Sequence, residues 1–193
     1  MSHETLKPRA GSQRIRILQQ TLMPRISCRD VQCLSIVIQD LYAATDLESF
    51  ATCAVRGLRQ LVPGDRASYH HASPKPHRVT TIAGDGGSAL PAGDAIVTRW
   101  LHEHYLVRSF DRHDAQRWLR ISDVLNRDTF RRSNLYEHYS RHVGIEFQIG
   151  VMFRGPQDGF LGMVVNRKTR DFSERDPIRH GSAACMTTPT MTT

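Results

Sequence analysis

ISDVLNRDTFRRSNLYEHYSRHVGIEFQIGVMFRGPQDGFLGMVVNRKTRDFSERD, residues 121–176, is the stretch whose reading decides the fold. From Ile145 to Arg154 the residues alternate. Ile145, Phe147, Ile149, Val151 and Phe153 share one side, and Glu146, Gln148, Gly150, Met152 and Arg154 the other, which is the period of a β-strand. The second set mixes polar and apolar residues, so that face is expected to be partly covered. Gly155-Pro156-Gln157-Asp158-Gly159 is a hairpin loop, and Phe160 to Arg167 returns antiparallel. The unbroken apolar run Phe160 to Val165 predicts a central strand covered on both faces. Upstream, Asn126 to Arg132 reads as a short helix. Phe130 falls out of phase with Leu135, Tyr136, Tyr139 and Val143, so a second helix is expected to restart at Asn134, with Glu137 as box partner and Gly144 as its end. Downstream, Ser173 and Asp176 form a helix-start signal. Pro177 and Gly181 then interrupt it, and the tail 177–193 carries no apolar stripe. The expectation is an α+β domain whose last helix, and anything beyond it, is missing.

Working back towards the N-terminus, Val31, Leu34, Val37, Ile38 and Leu41 recur at helical spacing within residues 29–43. Thr45 and Glu48 read as a capping box opening a second helix, whose face is Phe50, Cys53, Ala54, Leu58 and Leu61 and whose end is Pro63-Gly64. Arg66 to His71 and Arg78 to Ala83 are strand candidates on either side of the turn-forming Ser73-Pro74-Lys75-Pro76. Residues 95–105 read as one helix with Ile96, Val97, Trp100, Leu101 and His104 on a side, and 117–121 as a short strand. Residues 1–28 show no periodicity, so the domain is placed at 29–176.

The composition is that of a globular chain of 193 residues, 39% hydrophobic and 23% charged. No apolar run reaches the ~18 residues of a membrane span, and no signal-peptide core is present, so the expected location is the cytoplasm. The net charge of +7 invites a nucleic-acid reading. Six bases against one acid lie within residues 1–29, however, and the remainder is near neutral. The excess belongs to a basic arm, read as a solvated leader or an over-long start with the true start at Met23. Cys28, Cys33, Cys53 and Cys185 form no metal-type spacing.

The segments ATDLESF…LRQLVPGDRASY (residues 44–69), ISDVLNRDTFRRSNLYEHYSRHVGIEFQIGVMF (121–153) and GFLGMVVNRKTRDFSERD (159–176) resemble the GAF-like N-terminal domain of bacterial LuxR-type helix-turn-helix regulators. The resemblance implies an antiparallel sheet of five or six strands flanked by helices, acting as a sensory or dimerisation module. It admits a small-molecule ligand and a homodimer. In that group the Phe-Ser-Glu-Arg-Asp segment opens a long helix leading to a DNA-binding domain, which this sequence does not contain. The expectation is therefore a truncated regulator that does not itself bind DNA, or an inactive frameshifted remnant of one.

Catalytic chemistry finds little to stand on. There is no Gly-x-Ser-x-Gly and no cysteine in an activating context. The Gly84–Gly87 loop lacks the Lys-Ser/Thr of a phosphate loop. His102-x-His104 and His138-x3-His142 have metal-compatible spacing but no accompanying Glu base or cysteines, and exposed or half-buried histidines are the plainer reading. A small metal-dependent enzyme built on these histidines is the alternative from another class. No catalytic residue, metal or cofactor is assigned. Tyr69, Trp100, Tyr136, Tyr139 and Phe147 are the candidates for a ligand pocket, since aromatic rings with polar tips suit such walls. Arg131, Arg132 and Arg141 make a basic stretch, read as a solvated face.

Overall fold

A computed structural model describes residues 27–74, 77–84, 90, 92–110, 118–155, 159–173 and 176. Residues 1–26 of the expected N-terminal arm, the Gly84–Gly87 loop beyond Gly84, and the tail after Asp176 lie outside these residues.

Five strands form one antiparallel sheet in the order β2-β1-β5-β4-β3. They are β1 (Arg66–Pro74), β2 (His77–Gly84), β3 (Leu119–Arg120), β4 (Phe147–Arg154) and β5 (Phe160–Arg167). The strand with the longest apolar run, β5, is the central one. Val165 is fully buried on one face and Val164 nearly so on the other, as its pattern predicts.

Two helices, α1 (Cys28–Tyr42) and α2 (Leu47–Leu61), cover one face. Ser27 caps α1 in a reciprocal box with Asp30. The box of α2 sits one residue later than Thr45-Glu48. Asp46 Oδ1 accepts the Ser49 N–H at 2.8 Å, and Ser49 Oγ accepts the Asp46 N–H at 3.2 Å. An Asp and a Ser thus satisfy two end donors that a Thr-Glu pair was expected to take. The α1 stripe is also narrower than its spacing implies: Val37 is buried, while Val31 is 51% exposed. The helices approach closely because residue 57 is glycine, and a Cβ there would collide with Val37 Cγ1.

The other face is covered by short pieces: α3 (Gly93–Arg99), a 3₁₀ turn (Leu101–Glu103), α4 (Tyr105–Phe110), α5 (Ile121–Val124) and α6 (Arg127–Arg131). They are followed by a π-pitched segment, Tyr136–Ser140, running into α7 (Arg141–Val143). The single helix expected over 95–105 is broken at Trp100. The break has a tertiary cause. Glu103 turns to the next helical segment, where Oε1 accepts the Asn134 side-chain amide at 2.7 Å and Oε2 the Leu135 N–H at 3.1 Å. The restart expected at Asn134 is therefore capped by Ser133, whose hydroxyl accepts the Tyr136 N–H. Gly144, at φ +74°, ends the segment in the left-handed region that favours glycine.

Two arginines tie the chain's last described residues to the sheet. Arg167, 5% exposed, donates to Pro63 O and Asp171 O, pairs with Asp176 at 3.2 Å, and lies 4.0 Å over the Phe172 ring. Arg120 is held by Asp123, which also caps α5, and reaches Phe172 O at 3.0 Å. The Ser173–Asp176 contact read as a helix start is present, with the Asp176 carboxylate accepting the Ser173 N–H at 2.6 Å. Among the described residues, no helix is long and apolar enough to cross a membrane.

Candidate functional site

Strand alternation divides the sheet into two unlike faces. Ala67, Tyr69, Ile149, Val151, Leu161, Met163 and Val165 pack under α1 and α2. The residues between them, Ser68 and His70 on β1, Gln148 and Met152 on β4, and Gly162, Val164 and Asn166 on β5, point the other way. There they floor a cavity of about 100 Å³ roofed by α4, α5 and the residues between α6 and β4. One ordered water needs ~10–15 Å³ by this measure, so the space holds several waters or a small organic group. Its far end is apolar: Leu106, Ile121, Leu125, Phe130 and Phe160. Gly162 keeps the floor low, because a Cβ there would meet only Val151 O, at 4.0 Å. A more open groove of about 370 Å³ adjoins the cavity and shares Ser68, His70, Tyr139, Ile145 and Asn166 with it.

The floor is polar where cavity and groove meet. Ser68 Oγ lies 2.7 Å from His70 Nε2, and His70 Nδ1 lies 3.2 Å from Thr81 Oγ1. Thr81 donates its hydroxyl to Asp94 Oδ1 at 2.7 Å and its N–H to Oδ2 at 3.0 Å. Across the sheet Gln148 Nε2 donates to Asn166 Oδ1 at 2.6 Å, and both side chains are buried. His104 accepts the Leu106 N–H at Nδ1 and is hydrogen-bonded by Gln148. Burial pushes both histidines down to about 4. Asp94 opposes this for His70, and for His104 the neighbouring His70 adds to it while Gln148 opposes. Both imidazoles are therefore neutral at pH 7, and both line the cavity.

Of the sequence-derived pocket candidates, Tyr139 lines the cavity, and burial raises its phenol. Tyr69 and Phe147 do not line it. They have the parity of Ala67 and Ile149, so the strand turns them into the α1/α2 core, where Tyr69 meets Phe50 edge-on and burial raises its phenol to about 12. Tyr136 packs beside the cavity, but its hydroxyl is taken by Glu146, which also binds Arg131 at 2.7 Å and Arg127 at 3.3 Å. Trp100 stacks outside on His138, ring centroids 5.8 Å apart. Sequence reasoning missed Ser68, His70, His104, Gln148 and Asn166. The available signal was parity: polar residues on a strand face otherwise expected to be covered. The basic stretch is engaged locally, with Arg131 on Glu146, Arg132 on Asp128 O and Arg141 on Glu137. Among the described residues, no group of three or more His, Cys, Asp or Glu converges as a metal site would require.

No protein-family model matches the sequence, and no curated protein matches it. Solved structures do match the fold. The VqsR LBD domain from Pseudomonas aeruginosa superposes with a TM-score of 0.59 at 12% identity, over 82% of this chain and 96% of that one. CepR2 from Burkholderia cenocepacia, an N-acylhomoserine lactone dependent LuxR-family transcription factor, gives 0.58 at 10% identity, over 79% and 87%. The GAF domain of a phosphoenolpyruvate-protein phosphotransferase from Coxiella burnetii gives 0.52 at 14% identity, over 78% and 84%. The chain has the GAF-like α+β fold, in the form seen in the ligand-binding domains of LuxR-type regulators.

Proposed function

We propose that this domain is the sensory module of a LuxR-type regulator and binds a small organic ligand without transforming it. The observation that carries the reading is the cavity: partly enclosed, mostly apolar, and provided with a few polar groups such as Ser68, Gln148 and Asn166 on its floor. Both LuxR-type neighbours support it by fold, and CepR2 by its dependence on an N-acylhomoserine lactone. The space, at about 100 Å³, favours a compact ligand or one whose remainder lies in the groove. A screen of small neutral aromatics by ligand-observed NMR and thermal shift tests this. A ligand present at 100 times its Kd stabilises the fold by about 2.7 kcal/mol, a rise of several degrees in Tm. Gly162→Leu should abolish that gain, since its side chain enters the open space above Gly162. If hits bind Gly162→Leu as well as wild type, the cavity is not the site.

The 2.7 Å contact between Ser68 and His70 favours one second reading, a serine nucleophile with its base. The histidine argues against it. At about 4 it is a weak base at neutral pH, where general-base catalysis works best with a value near the working pH. Hydrolysis of p-nitrophenyl acetate that disappears in Ser68→Ala would establish this reading over the first.

A further inference from the structure

Two hydrogen-bond chains end at the junction of cavity and groove, and each has only one possible direction. The first starts at Asp94, which accepts both the N–H and the hydroxyl of Thr81. With that hydroxyl proton committed, Thr81 Oγ1 can only accept from His70, so the imidazole proton sits on Nδ1. A neutral His70 then accepts at Nε2, and the donor is the Ser68 hydroxyl. Ser68 is left with lone pairs alone to offer the cavity.

The second chain starts at the Leu106 N–H, which occupies His104 Nδ1. The His104 proton is therefore on Nε2, and Gln148 is its hydrogen-bonded partner through the amide oxygen. The Gln148 amide nitrogen donates to Asn166 Oδ1, which turns the Asn166 Nδ2 group outward. Asn166 is 6% exposed, and its Nδ2 has no partner among the described residues. A buried donor left unmet costs about 1–3 kcal/mol, so this group calls for an acceptor from outside the chain.

Donor and acceptor lie on one sheet face. Ser68 pairs with Val164, two residues before Asn166, which makes Ser68 and Asn166 diagonal neighbours within reach of one planar group. The charges nearby are already engaged or lie to the side. Both Glu103 oxygens accept from Asn134 and Leu135, Asp94 is held by Thr81, and Arg66 borders the groove only.

We propose that Asn166 and Ser68 form a donor–acceptor pair selecting an uncharged, amide-type head group, with the ligand's apolar body in the cavity. The ligand's carbonyl accepts from Asn166 Nδ2 and its N–H donates to Ser68 Oγ. A carboxylate would meet the Ser68 lone pairs, and an amidinium would meet the Asn166 amide protons. This inference rests on the cavity being the ligand site.

The test uses four monosubstituted benzenes, toluene and the three planar-headed probes benzamide, benzoate and benzamidine, with affinities from ligand-observed NMR titration. Benzamide should bind at least about tenfold more tightly than the other three, the worth of a satisfied buried donor. Ser68→Ala should cost benzamide about fivefold or more while toluene stays within about threefold. Asn166→Asp keeps the acceptor for Gln148 but replaces the outward donor with an acceptor. It should transfer the preference from benzamide to benzamidine, and toluene binding reports that the variant is folded. If toluene binds and benzamide is no better, or if benzoate or benzamidine is preferred by the wild type, the polar pair is overturned and the cavity reading survives. If no probe binds, the cavity reading falls and takes this inference with it.

Discussion

The two faces of the sheet are built to different rules. Under α1 and α2, long helices meet the strands with small and branched side chains, Ala51 and Val165 are fully buried, and glycine at 57 removes the last gap. On the opposite face the cover is broken into segments of three to seven residues, and polar side chains occupy the floor. A helix that ends early leaves end groups to be met by side chains, and Glu103 and Ser133 meet them here. The broken cover is what leaves a cavity. One face makes the domain stable, and the other gives it a place to hold something.

The contrast is most exposed to test through truncation of matching side chains on β4. Ile149, 1% exposed, lies in the closely packed face, so Ile149→Ala should cost about 2–5 kcal/mol, the range for a buried large-to-small change with little relaxation. Met152, 7% exposed, borders space that already exists beside polar groups. Met152→Ala should cost only about 1–2 kcal/mol, because water or a roof side chain can enter the vacancy. Urea midpoints measured at constant m-value decide the matter. Equal losses would mean that the two faces are packed alike.

How far these faces were legible follows from which signals are local. The β4–β5 hairpin, its central strand and the pair α1–α2 could be read because alternation and helical spacing lie within each segment. The cap of α2 was misplaced by one residue because Thr45-Glu48 and Asp46-Ser49 satisfy the same spacing, and only geometry chooses between them. The break at Trp100 was hidden because its cause, Glu103 reaching Asn134, spans 31 residues. The site was hidden for a related reason: its polar chain joins β1, β2 and α3, and a second joins α4, β4 and β5. Aromatic residue type was a poorer guide than parity. Phe147 shares its side with Ile149 and Val151, whereas the cavity takes Gln148 and Met152.

The second way to separate the faces is acid. His70 and His104 have folded values of about 4 against ~6.5 in an unfolded chain. Between those limits the unfolded state binds protons that the folded state does not, so stability is whole above pH 6.5 and declines as pH falls towards 4. Both rings keep some exposure, so we expect about 1–2 kcal/mol lost for each, in a cavity-side effect that precedes carboxylate titration. Glu103, Glu146 and Asp176, each held low by hydrogen bonds that outweigh burial, add losses of the same sign at lower pH. Histidine ring NMR in the folded protein reports this directly. Two rings that do not titrate down to pH 5 are expected, and two that titrate near 6.5 would remove the effect.

The smallest expected effect is the sharpest contrast, because it adds the same methyl group to each face. In α2, Gly57→Ala gains helix propensity of about 1 kcal/mol. Its Cβ must nevertheless displace Val37, a stiff β-branched side chain that cannot swing away, and the helices must part. Overpacking of this kind costs about 1–3 kcal/mol, so the net change should be a loss. At Gly162 the new Cβ meets only Val151 O at 4.0 Å, an ordinary contact, and it lies in a strand, where alanine is less costly than glycine. Gly162→Ala should therefore leave Tm unchanged or raise it by a degree or two, while occupying part of the ligand space. Thermal unfolding of the two variants side by side reads the difference. A fall in Tm for Gly162→Ala equal to that for Gly57→Ala would show that the floor of the cavity is as tightly packed as the helix interface opposite.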